Sequence, residues 1–132
     1  MATFTSFEDI EAWQLARELS KTIWILSNLE PFKSDFGLKG QINKSTGSVM
    51  DNIAEGFGRA GNKEFVQFIG IALGSLAETK SQILRANDRG YIDTDTLDKL
   101  LDMNAQIGNK LGRLTKYLQE SELKGIKYKG RD

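Results

Sequence analysis

The sequence predicts an all-α protein, an antiparallel up-down-up-down four-helix bundle, on three observations. Apolar residues recur at the three- and four-residue spacing of a helix face in four separate segments. Proline, which breaks helices, occurs once, at Pro31. The stretches between the segments are about four to eight residues long, short enough to return each helix alongside its predecessor.

The first helix is expected over about 7–27. Ser6 can cap its amides with Asp9 three residues on, a variant of the capping box, and the apolar set is Ile10, Trp13, Ala16, Leu19, Ile23 and Leu26. The second, over about 36–57, places Leu38, Ile42, Ser45, Val49, Ile53 and Gly56 on one narrow stripe of small side chains, which implies close helix approach. It ends in Asn52-Ile53-Ala54-Glu55-Gly56-Phe57-Gly58-Arg59, a corner in which Gly58 is the candidate for a left-handed residue. The third helix, about 63–88, follows Asn62 as its cap, stops at Gly90, and centres on Phe65, Ile69, Ala72, Leu76 and Ile83. The fourth, about 94–119, follows an Asp93-Thr94 cap and runs Leu97, Leu100, Asn104, Ile107, Leu111, Leu114, Leu118, a spacing suited to helices crossing at about 20°. Residues 1–121 form one domain, and 122–132, without periodicity, reads as a mobile tail.

Composition excludes much chemistry. There is no cysteine and no histidine among the 132 residues, so thiol and imidazole catalysis, zinc sites built on those ligands and the Glu-x-x-His di-iron site of helical bundles are all ruled out. No catalytic residue, cofactor, metal or small-molecule substrate is expected. An enzyme built on paired carboxylates would need Glu55 and Glu78 to meet, yet Arg59 stands one turn after Glu55, where an i,i+4 ion pair accounts for both. With 18 basic and 18 acidic side chains the chain has no net attraction for nucleic acid or an anionic membrane, and no segment reaches the roughly 18 apolar residues of a membrane span. A cytoplasmic, bacterial protein is expected.

Three sets of residues remain as candidates for interaction. Asn52, at the edge of the second stripe, is expected to lock the corner by bonding the turn at 57–62, as Asn104 is expected to fix register in the fourth helix. Gly70, Ile71 and Gly74 lie on the outer face of the third helix, where two missing side chains and an exposed apolar one suit the close approach of a second subunit. Lys110, Arg113 and Lys116, with Lys124, Lys127, Lys129 and Arg131 of the tail, could contact nucleic acid. Equally, Asp93, Asp95, Asp98 and Asp102 begin the same helix, and acids first with bases last is what its dipole favours.

Several of these stretches resemble a known family, the four-helix-bundle proteins related to those encoded by intervening sequences of bacterial 23S rRNA genes. The resemblance covers nearly the whole chain. It is carried by Phe7-Glu8-Asp9-Ile10-Glu11-Ala12-Trp13-Gln14-Leu15-Ala16, Phe36-Gly37-Leu38 with Gln41-Ile42, Ser48 with the corner Asn52, Glu55, Gly56, Gly58 and Arg59, Lys63-Glu64-Phe65, and Ile71-Ala72-Leu73-Gly74-Ser75-Leu76 with Glu78. One departure stands out: where the family has proline in a Ser-Ile-Pro-Ser-Asn pattern, this chain reads Ser48-Val49-Met50-Asp51-Asn52, so the second helix should be straighter. The resemblance implies an antiparallel bundle that assembles with itself, as a pentameric ring, and has no enzymatic activity. A distant branch serves as an accessory to reverse transcriptases of diversity-generating retroelements and binds nucleic acid through a strongly basic surface. The expected function is therefore a non-catalytic, ring-forming interaction module with a protein or RNA partner; the alternative is an RNA-binding accessory protein using the bases of the fourth helix and tail.

Overall fold

A computed structural model of the chain describes residues 4–59 and 61–129, with side chains as far as 121. It contains four α-helices, α1 Glu11–Ser27, α2 Phe36–Gly58, α3 Asn62–Asp88 and α4 Thr94–Lys129, with 3-10 turns at Phe7–Asp9 and Phe32–Ser34. The packed pairs are α1 with α2, α2 with α3, α3 with α4, and α4 with α1, a closed square. Cross-helix bonds give the directions. Asn43 bonds Ser27 while Phe57 meets Phe4. Early α2 meets late α3 at Gln41 and Arg85, and late α2 meets early α3 at Gly56 and Phe68. Asn62 reaches the Leu118 carbonyl while Asn104 reaches that of Leu76. Each neighbour is antiparallel, so the bundle runs up, down, up, down.

The expected stripes form the core. Leu19, Ile23, Ile42, Val49, Ile53, Ile69, Ile83, Ile107 and Leu111 are all at most 1% exposed, and each such side chain contributes about 1.5–3 kcal/mol by leaving water. Between α2 and α3 the packing is polar as well. The Ser45 hydroxyl lies 2.8 Å from that of Thr79 and donates to Gln82 Oε1 at 2.6 Å; Ser48 and Ser75 hydroxyls lie 2.8 Å apart one turn on. Every fully buried polar side-chain atom among the described residues has a partner, as burial demands.

Four local expectations are corrected. The Ser6/Asp9 cap closes the 3-10 turn rather than α1: the Asp9 carboxylate accepts from Thr5 N, Thr5 Oγ1 and Ser6 N, Ile10 is extended at φ −78°, ψ 117°, and α1 starts at Glu11. Gly58 is not left-handed. It is the last residue of α2, and the positive φ falls three residues later on Gly61, at 128°. Asn62 does not cap α3. It is the first residue of that helix, and its side chain is turned to α4. Finally, α4 continues to Lys129, past the expected end at about 119. Extending a helix needs no apolar face, only residues such as Gln119, Glu120 and Lys124 that propagate it at little cost.

Candidate functional site

At the corner between α2 and α3, Gly56 is the residue that packing requires. A Cβ there would lie 2.7 Å from Phe68 Cβ and 2.9 Å from Phe65 Cδ1. Glycine lets the end of α2 rest directly on the aromatic rings of α3. Phe57 stands edge-on to Phe65 at 6.2 Å, and Arg59 lies 5.2 Å above the Phe68 ring while bonding Glu55 at 2.8 Å. The Glu55–Arg59 pair is the expected i,i+4 contact; both side chains are about half exposed, so it adds little stability. Asn52 does not lock the turn. Its amide donates backwards to the Ser48 carbonyl at 2.8 Å and hydroxyl at 3.0 Å, because the residue is one turn too early to reach 57–62. Glu55 and Glu78 do not form a pair, Glu78 lining instead the polar groove of about 410 Å³ between α2 and α3 with Lys44, Ser48 and Ser75. Among the described residues no three acidic side chains converge on a possible metal position.

Gly70 and Gly74 occupy the outer face of α3 as expected. Both are exposed, with nothing within 4 Å of where a Cβ would be. Ile71 beside them is 52% exposed. Asn104 is buried and donates to the Leu76 carbonyl at 3.1 Å, tying α4 to α3 at mid-height.

Two of the basic residues of α4, Lys110 and Arg113, line one cleft against α1, and Lys116 is not part of its lining. Lys110 turns towards α1 and bonds Glu11, whose carboxyl is held below its ordinary value by that hydrogen bond and the ammonium charge. The pair rims a cleft of about 340 Å³ floored by Ile10, Ala12 and Leu114. Arg113 and Lys116 are exposed. The side chains of Lys124, Lys127 and Lys129, and all of Arg131, lie outside the described residues.

A feature that residue-by-residue reading passed over is the apolar surface at the opposite end. Trp24, Ile25 and Leu29 are 57%, 62% and 57% exposed, and Phe36, which opens α2, is 80% exposed. Lys39 Nζ lies 5.6 Å above the Trp24 ring and donates to Asn28 Oδ1 at 2.7 Å. Trp24 and Ile25 fall on either side of the α1 core stripe, and that off-stripe position is the signal the sequence carried.

The fold and these surfaces together define a helical bundle whose candidate sites are exposed faces. The sequence profile of the family described as 23S rRNA-intervening sequence protein matches residues 8–113, and the chain belongs to that family. Among solved structures it is similar to a protein with unknown function from the S23 ribosomal protein family from Bacteroides thetaiotaomicron, at 20% identity and a TM-score of 0.74, covering 80% of this chain and 96% of that one. That likeness concerns the fold. No curated protein sequence matches the chain. Among the described residues no helix is long and apolar enough to cross a membrane.

Proposed function

We propose that this chain is a non-catalytic interaction module of the cytoplasm that assembles with copies of itself, as a pentameric ring, through the outer face of α3. The observation that carries the reading is the pair Gly70 and Gly74. Each costs a helix about 0.5–1 kcal/mol relative to alanine, and neither makes room for anything inside the subunit, since no atom lies within 4 Å of the missing Cβ. Gly56 shows what an internally required glycine looks like in the same molecule. Glycines one turn apart beside an exposed isoleucine let another helix approach closely. The ring form follows the family resemblance, and the lack of thiol and imidazole chemistry supports the non-catalytic role.

Gly74→Arg tests the reading cleanly, because the arginine enters open space and should leave helicity intact. Light scattering is expected to show the variant reduced to smaller species at unchanged circular dichroism. Unchanged mass with equal or higher stability would place the contact elsewhere.

The alternative, an RNA-binding accessory protein, is favoured by one observation: exposed Arg113 and Lys116 form no ion pair with any described residue. A gel shift with structured RNA over a salt series tests it, since affinity from phosphate contacts falls steeply with salt. No retarded band at about 50 mM salt would end it.

A further inference from the structure

We propose that the polar groove between α2 and α3 binds a small zwitterion of the amino-acid type, its carboxylate towards Lys44 and its ammonium towards Glu78. The inference is independent of the self-assembly reading.

Gln82 distinguishes this groove from ordinary solvated surface. The side chain is only 8% exposed, yet it lines the groove. Its Oε1 accepts from the Ser45 hydroxyl at 2.6 Å, whereas its Nε2 donates to no described residue. Every fully buried polar side-chain atom among those residues has a partner, so Nε2 must reach the groove surface, with two N–H donors to offer. Packing and the Ser45 bond hold the amide in place before any ligand arrives, which lowers the entropy lost on binding. One turn along, the Ser48 and Ser75 hydroxyls lie 2.8 Å apart, and Ser48 accepts from the Asn52 amide at 3.0 Å. Those bonds fix the hydroxyls and leave lone pairs for a further donor.

Charge selects the ligand. Lys44 and Glu78 line the same groove, both exposed, and neither forms an ion pair with a described residue. The register between the helices is set by Gln41 with Arg85, Ser45 with Gln82, and Ser48 with Ser75. In that register Lys44 lies towards the end marked by Arg85, while Glu78 lies towards the end where Asp51 follows Ser48. The flanking charges therefore keep the same order, bases at one end and acids at the other, and further on Glu55 and Arg59 neutralise each other. An anion would be set against Glu78 and a cation against Lys44. An apolar molecule would strip water from the Gln82 amide and the serine hydroxyls with nothing in return. A neutral polyol would leave both charges without a partner. A zwitterion satisfies the two poles and the donors and acceptors between them. The groove, about 410 Å³, is large enough for such a molecule. Its lining has no apolar wall, so the ligand's own side chain should be short or polar.

The experiment is calorimetric titration of the full chain with L-glutamine, beside N-acetyl-L-glutamine, which lacks the ammonium, and L-glutamine amide, which lacks the carboxylate. L-Glutamine should bind saturably with a Kd on the order of 1 mM or below. Each blocked compound should bind about tenfold more weakly or worse, having lost a charge-assisted hydrogen bond. Glu78→Gln should weaken L-glutamine and erase the penalty on the N-acetyl compound; Lys44→Gln should do the same for the amide. Gln82→Met, similar in length but without the carboxamide, should weaken all three, with circular dichroism checking its fold. Lys44 and Glu78 lie outside the buried network, so their variants decide the matter even if the Gln82 variant fails to fold. No saturable heat with L-glutamine would overturn the proposal. So would equal affinity for all three compounds, or binding of D-glucose that matches L-glutamine and ignores both charge variants, which would make the groove a seat for neutral polyols.

Discussion

The two ends of α3 are turned by different physics. At its start, the corner from α2 depends on atoms that are missing: Gly56 lets backbone meet the Phe65 and Phe68 rings, and Gly61 adopts φ 128°, ψ 151°, open to glycine alone. At its end, the turn into α4 is held by side chains. Gly90 is left-handed at φ 76°, but the Asp35 carboxylate gathers the Leu38 amide at 3.1 Å, Arg89 at 2.6 Å and the Tyr91 hydroxyl at 2.8 Å, and Tyr91 stacks on Phe32 at 5.1 Å. The first corner is held sterically, its half-exposed Glu55–Arg59 pair adding little, and should depend only weakly on pH. The second is gathered around an ionised group and should respond to it.

Gly56→Ala should separate the two most sharply. The new methyl would collide with Phe68 Cβ, an atom tied to the α3 backbone, so the helices must part; a loss on the order of 2 kcal/mol is expected despite alanine's better helix propensity. Thermal unfolding of the variant checks it, and an unchanged midpoint would show that the corner can relax. Gly61→Ala follows at about 1–2 kcal/mol, from backbone strain alone. An equal loss for both variants at pH 7 and pH 4 would confirm that these two glycines act sterically, independent of the Glu55–Arg59 pair beside them.

At the other end the expected signature is a pH dependence. Asp35 has its carboxyl pKa lowered, chiefly by the Tyr91 hydrogen bond, then by the Leu38 amide and Arg89. A folded-state pKa below the unfolded value of about 3.9 stabilises fully above that value and is lost as pH falls through the folded pKa. Asp35→Asn should therefore be less stable than the wild type at neutral pH, with the gap closing in acid below about pH 4. A gap that persists unchanged at low pH would mean the carboxylate charge is irrelevant to the turn. The smallest effect has the opposite sign. Gly58 is helical with open space at its Cβ, so Gly58→Ala should gain up to about 1 kcal/mol from helix propensity. A loss instead would return the left-handed position to Gly58.

Much of the bundle was legible in the sequence, for one reason. Burial imposes a 3.6-residue period on each helix, and the stripe through Leu38, Ile42, Ser45, Val49, Ile53 and Gly56 is buried residue for residue. The Asp93 cap was legible too: its carboxylate accepts the Thr96 amide at 2.8 Å, as local spacing requires. Misplaced features were those in which several local solutions compete. Ser6 and Asp9 form the expected bonds but close a 3-10 turn, and of the glycines around the corner the left-handed one is Gly61, since no rule of local sequence ranks Gly58 below it.

By itself, then, the sequence determined the four helices, their order, their inward faces and the absence of cysteine and histidine chemistry, all of which follow from composition and period. Tertiary structure decided what each outward residue is for. Gly56 and Gly74 are the same residue in similar helices; one is pressed against Phe68 and the other meets nothing. Lys110 and Lys116 look alike in the sequence, yet only Lys110 is bound, by Glu11, 99 residues away. Such differences depend on which helix stands opposite, and a chain's local period holds no information about its neighbour across the bundle.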